Sequence, residues 1–230
     1  MNPTLSLPAL KIRRVVRADD SGSTASFTEY LSKVDPAWAS AIGSGLHVSW
    51  PRGVEVAKGN EGIATAIATT VGAIGYAATN QVAKAKLSYI SLQNRSKHFV
   101  FPTDAALHAA VKSSIIQRST GIDFIDAPGI DAWPITDATY VLIERNPKNP
   151  DRVRSVLRFF YWAFLRGDAM ASESGYVPLP AAIQARVVGM FREVQDQQGN
   201  TLDFMGAQTH GSAVLAGWQN ASRNAVGASL

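Results

Sequence analysis

Short β-branched runs alternate with stretches of helical spacing along this chain, and that alternation constrains the fold more than any other feature. Ile12–Arg17 is strand-like and ends in a polar, glycine-bearing turn, Ala18–Thr24. Phe27, Tyr30, Leu31 and Val34 then recur at helical spacing. Asp35-Pro36 opens a second short helix, with Asp at the cap and Pro at the first helical position. Beyond a glycine-rich loop, Glu61–Thr70 reads as a helix carrying Ile63 and Ile67, Ala73–Tyr76 as a strand and Thr79–Lys86 as a helix. Leu87–Leu92 alternates like a strand, and Asp104–Ile116 places Leu107, Val111 and Ile115 on one helix face. After a break at Asp126–Gly129, Thr139–Ile143 is the strongest strand pattern, apolar on both faces and therefore expected at the centre of a sheet. Asp151 is read as the cap of a long helix through Val156, Phe159, Phe160 and Ala163, and Ala181–Val194 as another helix. Strands interleaved with helices predict an α/β class with a largely parallel or mixed sheet.

Composition narrows the chemistry. The 230 residues suit one large domain or two small ones, and at 46% hydrophobic and 17% charged they have a globular balance. Cysteine is absent, which excludes disulfides, thiolate metal sites and cysteine nucleophiles. The net charge of +4 comes from scattered Lys and Arg and gives little footing for nucleic acid. Arg152, Arg154 and Arg158, near Lys148, read as a solvated helix face. His47, His98, His108 and His210 lack metal-ligand spacing, and no phosphate-loop, dinucleotide or nucleophile-elbow motif occurs. No cofactor is expected. No apolar run approaches the roughly 20 residues of a membrane helix, and the first residues lack the pattern of a secretory signal.

The candidate site is the turn Arg17-Ala18-Asp19-Asp20-Ser21-Gly22-Ser23-Thr24. It lies where a strand meets a helix N-terminus, whose first N–H groups lack intrahelical partners and attract an anion. Ser21 and Ser23 add hydroxyls, Gly22 permits close approach of the backbone, and Arg17 offers a planar charge suited to phosphate or sulfate. Asp19 is placed to hold the guanidinium. Ser and Asp at a helix start are also ordinary caps and Gly an ordinary turn residue, so the pattern alone leaves both readings open.

At this loop the chain resembles the phosphate-binding protein of bacterial phosphate-specific ABC transporters. The resemblance extends through Ser26–Lys33, Val48–Pro51, Lys58–Ile63, Gly72–Tyr76, Asp131–Thr136, Phe159–Ala163, Gly175–Pro180 and Gly199–Leu202. It implies an α/β, periplasmic-binding-protein-like (type II) bilobal fold, present only in part. Residues 1–130 would form the second, ligand-loop lobe, incomplete at its start. Residues 131–204 would return to the first lobe without their sheet partners, and 205–230 would form a flexible tail. The resemblance assigns phosphate contacts to Arg17, Ser21, Gly22 and Ser23, with Asp19 in support. Ser23 stands where the family has Thr, Asp20 where it has Gly, and Ala25 where it has Phe. The other half of the family's site, including a proton-accepting Asp, belongs to a segment upstream of this chain.

The function implied is phosphate binding for an ABC-type importer, not catalysis, with half of the site present. Its partners would be inorganic phosphate and the transporter's membrane permease, and its location the periplasm, or the cytoplasm if Met1 is the true start. The alternative is a truncated, non-transporting paralogue serving as an interaction or structural module.

Overall fold

The structure, a computed structural model, describes residues 6, 8–115 and 123–205. The chain divides into two units, Met1–Asp137 and Ala138–Leu230.

The first unit is organised by a central strand. β1 (Arg13–Arg17) leads into α1 (Gly22–Val34) and the short α2 (Pro36–Ala41). β2 (Val54–Ala57), α3 (Gly59–Thr69), β3 (Ala73–Gly75) and α4 (Thr79–Lys84) follow. The strands form a parallel sheet in the order β2-β1-β3, with Val15 opposite both Glu55 and Gly75. Parallel neighbours cannot be joined by a tight turn, so helices serve as the crossovers, and α3 packs on all three strands. Val15, Val16 and Ile63 form the buried contact, the first and last at 1% and 0% exposure. Gly75 is required there. A Cβ at this position would lie 2.7 Å from the Val15 carbonyl oxygen and 3.0 Å from Ile67 Cδ1, so only glycine lets α3 settle this close to the strands.

The helix starts follow their capping residues. Ser21 caps α1, and Asp35 caps α2 with Pro36 at its first position, as the sequence indicates. The buried face of α1 is more polar than the spacing of Phe27, Tyr30, Leu31 and Val34 suggests. Thr24, Ser26, Thr28 and Tyr30 are buried, while Val34 is exposed. Their hydroxyls avoid a desolvation cost by bonding locally, Ser26 to the Gly22 carbonyl and Thr28 to the Thr24 carbonyl. The expected strand at Leu87–Leu92 does not form. Pairing begins only at β4 (Leu92–Gln93), antiparallel to β5 (Phe99–Val100), and Tyr89 and Ile90 are exposed. Alternation of side chains made no strand where no neighbouring backbone completes the ladder.

α5 (Asp104–Ile115) buries Ala106, Ala110 and Val111. The loop after the undescribed residues 116–122 is fastened by Asn94, whose Nδ2 donates to the carbonyls of Gly129, Ile130 and Ala132. Within that loop Asp126 adopts a left-handed backbone (φ 57°), and its Oδ1 is buried without a hydrogen-bond partner. Burial raises its pKa above the ordinary value of 3.8, opposed by the charges of Arg95, Lys33 and Lys97. A carboxyl that binds its proton more tightly when folded loses stability as pH rises from 3.8 through the raised value. Asp126→Asn is expected to raise the melting temperature at pH 7 and leave it unchanged near pH 3. Because the carboxyl is partly open to screening solvent, the gain should stay below about 1 kcal/mol, or under roughly 2–4 °C, and thermal melts at the two pH values measure it. Equal shifts at both would remove ionisation as the cause.

The second unit is helical: α6 (Pro150–Arg166), α7 (Asp168–Glu173) and α8 (Ala181–Phe191). Its core comprises Leu157, Tyr161, Val188, Phe191, Val194, Leu202 and Phe204. Asn149, not Asp151, caps α6: its side chain accepts from the Arg152 amide at 3.1 Å, with Pro150 at the first helical position. Thr139–Ile143 is not a strand. Tyr140, Val141 and Leu142 are exposed, Leu142 at 96%, and only Ile143 packs on the core. A sequence suited to the centre of a sheet needs ladders on both sides, and the described residues of this unit contain no strand beyond an isolated bridge, Gln195 to Thr201. Of the expected tail, residues 206–230 lie outside the described residues.

Candidate oxyanion site

The site is built where the first turns of α1 and α3 meet the end of β1. Arg17 is the last residue of β1, and its side chain is only 9% exposed. Asp19, two residues on, reaches back in a two-point pair: Arg17 Nε donates to Oδ1 at 2.9 Å and Nη2 to Oδ2 at 2.5 Å. Gly59 begins α3 in the left-handed region (φ 70°) and donates its N–H to Asp19 Oδ1 at 3.0 Å. A residue with a Cβ would be strained in that conformation. Asn60, the next residue, accepts from Arg17 Nη1 at 3.2 Å, and Ser23 Oγ lies 3.5 Å from the same oxygen. The hydrogen bond from Arg17, followed by that from Gly59, holds the Asp19 carboxyl well below the usual carboxylate range. Pairing with Asp19 raises the Arg17 pKa. Asp19's contribution to stability is present above its unfolded value of 3.8 and is lost only as pH falls through the strongly depressed folded value, so the pair is intact at neutral pH.

Ser21, Gly22 and Ser23 occupy the cap and first two positions of α1. Ser21 is buried; its Oγ accepts from the Thr24 amide at 3.4 Å, and its N–H donates to the Leu46 carbonyl. The capping role that the pattern left open is therefore realised, and the hydroxyl keeps its proton for a further bond. The first intrahelical bond of α1 is Ala25 N–H to the Ser21 carbonyl, so the Gly22 and Ser23 amides precede the ladder. Asp20 turns to the exposed His47 at 3.6 Å.

Three contributors escaped the sequence reading. Asn60 is one. The second is Tyr76, just past β3. Its hydroxyl oxygen accepts the Arg17 N–H at 3.2 Å and lies 2.7 Å from Thr24 Oγ1, and its ring stacks on Phe27 at 4.7 Å. The third is Asp137, which takes the Ser26 hydroxyl at 2.9 Å, with Oδ2 3.9 Å from where a Gly22 Cβ would stand. Each lies far along the chain from Arg17, where local spacing carries no signal; only the helix-start character of Lys58-Gly59-Asn60 marks the first.

No family model matches the chain. Individual relatives do. The phosphate-binding protein PstS of Haemophilus influenzae is 37% identical over 194 residues, covering 84% of this chain and 58% of its own length. PstS of Xylella fastidiosa is 38% identical over 181 residues, 78% of this chain and 50% of its own length. PstS of Methanocaldococcus jannaschii is 34% identical over 216 residues, 84% of this chain and 55% of its own length. Among solved structures, a high-affinity periplasmic phosphate-binding protein, PfluDING, shares the fold with a TM-score of 0.54 at 22% identity, over 84% of this chain and 60% of the other. The chain thus spans between half and three-fifths of the length of these proteins. It is a partial-length homologue of the PstS phosphate-binding proteins, with part of an α/β periplasmic-binding fold.

Proposed function

We propose that this chain binds inorganic phosphate through the Arg17–Ser23 loop, as the part of a periplasmic phosphate-binding protein that serves an ABC-type importer and its membrane permease. The observation that carries the reading is the shielded, two-point Arg17–Asp19 pair set at the start of α1. Its homology to proteins named for phosphate binding supports the ligand. Arg17, Ser21, Gly22 and Ser23 supply N–H and O–H donors, and Asp19 orients the guanidinium. These groups bind and orient an anion; the reading is of a binding component, not an enzyme.

The loop supplies one side of a phosphate site. A hydrogen bond to a charged group contributes about 1.5–3 kcal/mol, so four missing partners at the lower figure remove about 6 kcal/mol, or roughly four decades of affinity. The 230-residue polypeptide is therefore expected to bind phosphate weakly, with marked salt sensitivity and little preference over sulfate. Titration with phosphate and with sulfate, at low and moderate salt, tests this. Tight, phosphate-selective binding would overturn the half-site reading, and no saturable binding of either anion at low salt would overturn the loop as the site.

A further inference from the structure

Asn60 holds the pivotal contact of the site that no local motif announces. Arginine has five N–H groups and no acceptor. Two go to Asp19 and one to Asn60, which leaves two to meet an anion. Because the guanidinium only donates, the amide of Asn60 must turn its oxygen toward it. That same oxygen stands 3.5 Å from Ser23 Oγ, so one atom touches two groups assigned to the ligand, one at the end of β1 and one in the first turn of α1. The neighbouring Gly59 amide fixes the carboxylate side of the pair. The first turn of α3 thereby grips both halves of the ion pair: the backbone holds Asp19 and the side chain holds Arg17. Asp19 holds one edge of the guanidinium at two points, and the Asn60 contact adds a third, at Nη1, that secures its rotation.

We propose that Asn60 is the positioning residue of the oxyanion site: it locks the rotation of the Arg17 guanidinium so that its two uncommitted N–H groups face the anion. The inference rests on the phosphate-site reading for its consequence, and on the geometry alone for its cause.

The test uses the whole chain labelled with nitrogen-15 in arginine, with NMR measurement of guanidinium rotation at Arg17 and phosphorus NMR titration with inorganic phosphate. Asn60→Ala is expected to speed the rotation and to weaken phosphate binding about tenfold, the equivalent of roughly one hydrogen bond to a charged group. Asn60→Asp keeps the acceptor and the shape, so rotation should stay slow. Phosphate binding should nevertheless fall further than in Asn60→Ala, because a second carboxylate then faces the anion. A residue that merely supported the fold would not separate restraint from affinity in this way. Unchanged rotation in Asn60→Ala overturns the inference without reference to any ligand, and so does faster rotation with unchanged affinity. Arg17→Met is the control for the functional reading: if it leaves phosphate binding intact, the site assignment fails, while the rotation measurement still decides what Asn60 does.

Discussion

Replacing Arg17 with methionine is expected to lower phosphate affinity by at least about 100-fold. Methionine keeps most of the length of the side chain and removes the charge and all five donors. The loss exceeds that of the donors alone, because Asp19 remains. Gly59 still holds the carboxylate in place, now without its cation, beside the position of the anion. The two N–H groups that Asp19 and Asn60 leave free contribute about 1.5–3 kcal/mol each to a charged ligand, so their loss alone comes to at least about 100-fold. Arg17→Lys should fall between, since a point charge cannot serve Asp19 and the ligand at once through a planar fork. Adding Asp19→Asn to Arg17→Met should recover part of the affinity by removing the stranded carboxylate. Titration calorimetry or phosphorus NMR measures all of these. An Arg17→Met chain that binds within threefold of the parent would show that the anion sits elsewhere.

The largest stability effect is expected at Leu157. It is fully buried at the centre of the second unit, among Tyr161, Val188, Phe191, Leu202 and Phe204, with the Phe191 and Phe204 rings packed edge to face at 5.4 Å. Leu157→Ala leaves a cavity that aromatic neighbours in fixed contact cannot collapse to fill. The expected loss is about 2–5 kcal/mol, a large share of the roughly 5–15 kcal/mol typical of a folded domain. Urea unfolding followed by tryptophan fluorescence measures it. A loss below about 1 kcal/mol would mean that the cluster is loosely packed, contrary to the contacts described.

The elements legible in the sequence are those whose determinants are local. β1 is a β-branched run bounded by a polar turn, and α2 carries its cap and its proline side by side. α3 and α5 each show an apolar stripe that the structure buries, in Ile63 and Val111, whereas in α6 the expected Val156 and Phe159 are exposed and the buried face is that of Leu157 and Tyr161. Thr139–Ile143 and Leu87–Leu92 failed for a shared reason. A strand exists only where another backbone completes its ladder, and side-chain pattern does not supply one. The candidate site divides the same way. Arg17 and Asp19 meet because two residues along an extended turn bring them together. Asn60 and Tyr76 reach Arg17 across separations of 43 and 59 residues, which only the β2-β1-β3 order explains.

That strand order also sets a timetable. β1 is the first strand in sequence and the middle one in space, and each of its neighbours is synthesised later. Non-local parallel pairings close large loops before they gain contacts, which makes them slow to form. On a ribosome adding about 5–20 residues per second, the 59 residues between Arg17 and Tyr76 take roughly 3–12 s to appear. Until that interval ends, Arg17, Asp19 and the bare start of α1 lack part of the set that arranges them, with Gly59 and Asn60 arriving before Tyr76 completes it. Anion affinity therefore waits on the third strand of the sheet during synthesis, and is the first property this unit should surrender when β3 detaches from the edge of the sheet.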